Sequence, residues 1–353
     1  MMTQFSPSAL LILSAVSLTP DISVLKRAIA ETEDWDAACD KLKKTGVAGL
    51  FLDLVENYPE LSEVDKSETT LPKEVLAKLR QIYLKSITRT VVLFDSYREV
   101  STAFHKKNLK VVFFRGISLT NTLYNKQGLR PLNSIDILIT ADTYPIVMEQ
   151  LESIGFRPAR QPFLSGKDDN EPLKMIRNEE SVVIHTGIHP PGMEYRLSAK
   201  DMYDRAVQDT NGNPPVYMLD LSDLLIDTCT LAHRNLFEPT FNISLYADLV
   251  RILKTHEDQI NWEKMMGYCW VSDAEYVVME QLIIAHQLFG APLPPRIKQV
   301  YTSWVKEETI RQLMEHLNDK QPQANETNHT EKKGWSIKKL WGKLFIKIIN
   351  KRI

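Results

Sequence analysis

The sequence predicts an α+β protein, a small mixed β-sheet core flanked by N- and C-terminal helical segments. Three observations predict it. Apolar residues step by three or four up to about residue 105; short β-branched and aromatic runs begin at residue 109; helical spacing returns at residue 220. The corresponding organisation is a helical region over 1–105, an α/β core over 106–210, a helical bundle over 211–317, a polar linker over 318–334 and a basic amphipathic helix over 335–353.

Near the start, "ALLILSAVSL" is apolar enough to be mistaken for the core of a secretory leader. No basic residue precedes it, and the acid-rich, amphipathic "TPDISVLKRAIAETEDWD" follows, so it reads as a buried first helix. "EVDKSETT" is a polar loop before Pro72, which stands near a helix start. In the helix that follows, Leu79, Tyr83, Ile87, Val91, Phe94, Tyr97, Val100 and Phe104 are expected on one continuous apolar face. "LKVVFF" is a buried strand, "RGISLTNTLYNK" a tight turn and short helix, "QGLRPLN" a loop and "SIDILIT" a second strand. "ADTYPIVMEQLESIGF" supplies an N-cap, a helix and Gly155 at its end, and "PLKMIRNEESVVIHTGI" reads as two strands joined by a polar turn. Beyond residue 220 come three stripes: Leu221, Leu224, Leu225, Thr228 and Leu231; Leu245, Leu249 and Ile252; and Tyr276, Met279, Ile283, His286 and Phe289. "GAPLPP" closes the bundle, and "NDKQPQANETNHTEKKG" has the composition of an unstructured tether.

The formal net charge of −2 hides an asymmetry. Residues 332–353 hold eight Lys/Arg and no acid, leaving 35 of the 43 basic residues against all 45 acids, a balance of −10. So acidic a body argues against nucleic acid as a partner, because phosphate contacts dominate that affinity. Cys39, Cys229 and Cys269 are far apart and form no CxxC pair, which argues against a disulfide framework or structural zinc and fits a cytoplasmic location. No run reaches the roughly 18 apolar residues of a membrane span.

Chemistry concentrates in residues 113–140. On a strand alternate residues share a face, so Ser134, Asp136 and Leu138 point one way and Ile135, Ile137 and Ile139 the other. Two acids at this spacing would converge on divalent ions, as phosphoryl transfer requires. Upstream, "FFRGIS" places Gly116 and Ser118 in a turn entering a helix, where backbone N–H groups favour a phosphate, with Arg115 as a fork-shaped contact.

The stretch "VVFFRGISLTNTLYNKQGLRPLNSIDILIT…MEQLESIGF" resembles the uncharacterised nucleotidyltransferase family of the DNA-polymerase-β-like superfamily. "DWDAACDKLKKTGVAGLFL", "VVIHTGI", "LDLSDLLIDTCTLAHRN", "INWEKMM" and "LFGAPLP" extend the likeness, in order, over about residues 10–300. The resemblance implies a nucleotidyltransferase-like core, with Gly116, Leu123, Tyr124, Arg130, Pro131, Asp136, His185 and His233 where the family has the same residue. It assigns the phosphate and nucleotide contacts to Arg115, Gly116, Ser118, Arg130 and His185. The family's lysine is here Arg115, its first strand acid Ser134, and its third acid Val183. Two of three metal ligands are thus replaced, leaving Asp136 as the residual carboxylate; a serine hydroxyl is a weak ligand for a hard cation and valine is none. Mg²⁺ is implied only if the chain is active.

Three functions follow from this pattern. The favoured one is a binding or accessory protein whose pocket takes a nucleotide or phosphorylated small molecule without orthodox transfer. A second is an active Mg²⁺-dependent transferase whose missing acids come from Asp142 or Glu180. A third is a membrane-recruited scaffold. Structurally, Arg115 and Arg130 are expected to pair with Asp136 in place of metal. His185 and His189 have zinc-site spacing for a helix but lie in a strand pattern; His233 reads as a capping or packing residue and His286 as core. In the tail, Ile337, Leu340, Trp341, Leu344, Phe345 and Ile348 fall on one side, and Lys339, Lys343, Lys347 and Lys351 on the other. With Trp335 and no acid, this is the pattern of an interfacial helix for an anionic membrane surface or a partner protein, peripheral at the inner face of the membrane.

Overall fold

A computed structural model describes residues 5–61, 70–159, 172–188, 195–210, 212–238 and 241–318. These belong to the first of the chain's two units, residues 1–320; the second, 321–353, with Trp335, Lys339, Trp341, Lys343, Phe345 and Lys347, lies outside the described residues, as does His189.

Helix α1 (Pro7–Val16) starts where the Ser6 hydroxyl accepts the Ala9 N–H, and it is apolar nearly all round, so both sides are buried as the sequence predicts. Asp21 and Asp34 cap α2 (Ile22–Ala30) and α3 (Trp35–Lys44) in the same way, and α4 (Ala48–Asn57) completes the N-terminal layer. Then α5 (Lys73–Lys106) runs for 34 residues, about 50 Å at 1.5 Å per residue. Its apolar face is not the continuous one expected. Val75, Leu76 and Leu79 join the N-terminal helical core, whereas Leu93, Val100 and Phe104 pack on the sheet. Between them the helix passes from one core to the other, and Leu84, Val91 and Val92 are exposed.

The sheet has seven strands among the described residues, in the order β3-β4-β5-β2-β1-β7-β6. They are β1 (Val112–Phe114), β2 (Ile135–Leu138), β3 (Arg157–Pro158), β4 (Leu173–Arg177), β5 (Glu180–His185), β6 (Val207–Asp209) and β7 (Val216–Met218). Parallel pairs, β2 with β5 and β1 with β7, alternate with antiparallel ones, so the sheet is mixed. Both faces are covered near its centre, as the strands' apolar runs require. Ile135, Ile137, Ile139, Phe113, Val182 and Ile184 meet α5 and α7 (Tyr144–Ser153); Val112, Phe114 and Leu138 meet the C-terminal helices. Helix α7 ends at Ser153 with Ile154 as its cap, and Gly155 follows at φ 94°, where a side chain would be strained. β3, β6 and β7 are the strands that the sequence pattern does not announce, since two or three residues show no alternation.

The C-terminal layer comprises α8 (Ala199–Arg205), α9 (Leu221–Asn235), α10 (Ser244–Thr255), α11 (Trp262–Val271), α12 (Glu275–Phe289), α13 (Pro295–Tyr301) and α14 (Glu307–Leu317). Three stripes become α9, α10 and α12. His233, in the last turn of α9, packs its imidazole by Glu280 at 3.4 Å. His286 is half-buried and holds the Ala291 carbonyl at 2.7 Å.

Candidate functional site

The site lies where β1 turns into α6 (Gly116–Leu123), beside β2 and β5. Arg115 makes the turn at φ 57°, ψ −133°, a conformation that favours glycine and costs a side-chain-bearing residue about 1–3 kcal/mol. Its surroundings hold it there. Its carbonyl accepts from the Leu119 N–H and the Ser118 hydroxyl, and its guanidinium lies 4.7 Å from the centre of the Phe114 ring. Nε and Nη2 donate to the two carboxylate oxygens of Asp227 on α9, at 3.2 and 3.1 Å. Asp227 is fully buried, so the pair is a charge-assisted, two-point clamp between the sheet and the bundle.

Gly116 is required by close approach. A Cβ there would stand 3.0 Å from Nη1 of Arg130 and 3.1 Å from Cδ2 of Leu132. Arg130 is buried and paired in its turn: Nε and Nη2 each donate to Asp248 of α10 at 2.8 Å, and the Tyr124 hydroxyl donates to the same carboxylate at 2.6 Å. Neither arginine takes Asp136 as its partner, contrary to expectation; each meets an acid that the helical bundle brings to it.

Asp136 has other company. The Ser134 hydroxyl donates to Oδ2 at 2.9 Å, and Nε2 of His185 lies 2.9 Å from Oδ1. Cα register sets Asp136 between Phe114 on β1 and Val183 on β5, so Ser134, Asp136, Val183 and His185 share one face. Burial would raise the Asp136 carboxyl; the hydrogen bond from His185, the Arg115 charge and the Ser134 hydroxyl outweigh it and hold the group below its ordinary value of 3.8. Burial, aided by the Arg115 charge, pushes His185 below 6.5 against the pull of Asp136. At neutral pH Asp136 is therefore ionised, and a neutral imidazole gives it the Nε2 proton.

This donor set does not fit a catalytic metal pair. Two oxygens of one carboxylate are already engaged, Val183 offers no ligand, and among the described residues no group of three or more His, Cys, Asp or Glu is placed to hold an ion. The two substitute acids do not supply it. Asp142 is exposed in the turn beyond β2, hydrogen-bonded to Thr140; Glu180 faces the opposite side of β5 from Val183 and pairs with Arg177 at 2.6 Å.

A family model described as uncharacterised nucleotidyltransferase matches residues 31–290, most of the chain, and the protein belongs to that family. No curated protein matches it. Among solved structures, that of the antibiotic-resistance factor ANT(2'')-Ia is similar at 13% identity and a TM-score of 0.35, over 55% of this chain and 96% of that one.

Sequence reasoning missed Asp227 and Asp248. Both had a signal: each acid interrupts an apolar helix, in "LLIDTCT" and "LYADLV", where a charge survives burial only with a partner.

Proposed function

We propose that this chain is an accessory member of its family, which uses the inherited pocket to bind a nucleotide or phosphorylated small molecule and does not carry out metal-dependent nucleotidyl transfer. The observation that carries this reading is the state of Asp136. It is the one acid retained at the family's three acidic positions, and both its oxygens are engaged by Ser134 and His185. Transfer needs a metal-activated acceptor and a stabilised leaving group, and neither can be assembled from one occupied carboxylate. The Asp227 and Asp248 clamps support the same conclusion, since they keep Arg115 and Arg130 as parts of the scaffold. Full-length protein incubated with ATP, CTP, GTP or UTP and Mg²⁺ should release no pyrophosphate above the level of an Asp136→Asn control. Release that depends on Asp136 would overturn the reading.

A membrane role for the basic tail is a separate proposal, supported by the four-residue spacing of Lys339, Lys343, Lys347 and Lys351 opposite Trp341 and Phe345. No helix among the described residues is long and apolar enough to cross a membrane. Removal of residues 332–353 should abolish co-sedimentation with anionic liposomes; unchanged sedimentation would dismiss the tail's role.

A further inference from the structure

We infer that Lys174 is the anion-recognising residue on this face of the sheet, and that the ligand carries a phosphoryl group at one end and a hydroxyl at the other. The inference rests on the binding role proposed above and names its chemistry.

Register places Phe114, Asp136, Val183 and Lys174 in one row across β1, β2, β5 and β4, all on the same face. At about 4.8 Å per strand, the Lys174 Cα lies about 10 Å from that of Asp136, with Val183 between them. Towards β1 the face is sealed, because Phe114 is buried against the helices. Towards β4 it opens: Val183 is half-buried, Lys174 exposed, and Ile176 next along β4 is 39% exposed. The two arginines beside the row are neutralised by Asp227 and Asp248, but among the described residues the Lys174 ammonium has no acidic partner.

The replacement of an acid by Val183 has a consequence of sign. A carboxylate there would repel a phosphoryl group unless metal lay between them. Valine removes that repulsion and leaves Lys174, one strand further out, to meet the anion directly. The Asp136 carboxylate offers only acceptor lone pairs, one on each oxygen taken by Ser134 and His185, so it suits a further hydroxyl donor and not a phosphate. A sugar phosphate or nucleoside monophosphate meets both ends of the row, its ring lying over Val183 and Ile176.

Isothermal titration in EDTA would test this on the full chain, with ribose 5-phosphate, glucose 1-phosphate and the four ribonucleoside 5′-monophosphates, each beside its unphosphorylated counterpart. Wild type should prefer at least one phosphorylated member by about tenfold, as expected of a charge-assisted contact. Lys174→Met should erase that preference and leave the unphosphorylated affinity unchanged, while Asp136→Asn should weaken both. A preference that survives Lys174→Met overturns the inference and leaves the binding role standing. Failure of wild type to bind any of the probes removes the binding role and the inference together.

Discussion

At Arg115 two opposing energies meet in one residue. The backbone is strained at φ 57°, and the side chain is clamped by Asp227. Arg115→Ala loses the clamp and keeps the strain, whereas Arg115→Gly loses the clamp and relieves the strain. The glycine variant should therefore be the more stable of the two by about 1–2 kcal/mol in urea unfolding. Equal stabilities would show that the strain is not felt. At Asp248 no such compensation exists. Asp248→Asn leaves the buried Arg130 charge without its counter-ion and should cost about 3–5 kcal/mol, read from the shift of the urea midpoint. Acid sensitivity is set by His185. Its folded pKa lies below the unfolded 6.5, so on acidification the unfolded chain takes the proton first. Its contribution is intact above 6.5 and declines as pH falls towards the folded value; that of Asp136, depressed from 3.8, is lost only lower still. His185→Gln should flatten the stability profile below pH 6.5, and an unchanged slope would assign the titration elsewhere.

Among the elements, α5 separates pattern from packing. Its heptad-like run looked like one face, yet Val91 is 41% exposed and Leu93 fully buried. Val91→Lys should stay within about 0.5 kcal/mol of wild type, while Leu93→Ala should cost about 2–5 kcal/mol in the same unfolding assay. A reversed order would mean that the helix packs on the face its sequence suggests. The strands were legible for a physical reason: β2 alternates two apolar cores with one polar face, and a one-residue slip would bury Asp136 among the isoleucines. What stayed hidden were contacts between distant segments. Nothing local in "FFRGIS" discloses that Asp227 waits 112 residues away, and a three-residue strand such as β7 is defined only by its neighbours β1 and β6.

For the whole molecule, family membership is shown, and the function proposed above rests on reading Ser134 and Val183 as standing where the family places metal-holding acids. The row formed by Phe114, Asp136, Val183 and Lys174 gives this reading its meaning, because placing acids at 134 and 183 would set three carboxylates on one face. The most direct test is a titration of Mn²⁺ into the full chain, followed by the electron paramagnetic resonance signal of free ion. Wild type should bind no tighter than about the millimolar range, and the Ser134→Asp, Val183→Asp double variant should gain at least about tenfold, as hard-cation affinity grows with carboxylate count. Micromolar, nucleotide-dependent binding of Mn²⁺ by wild type would contradict the loss of the metal site.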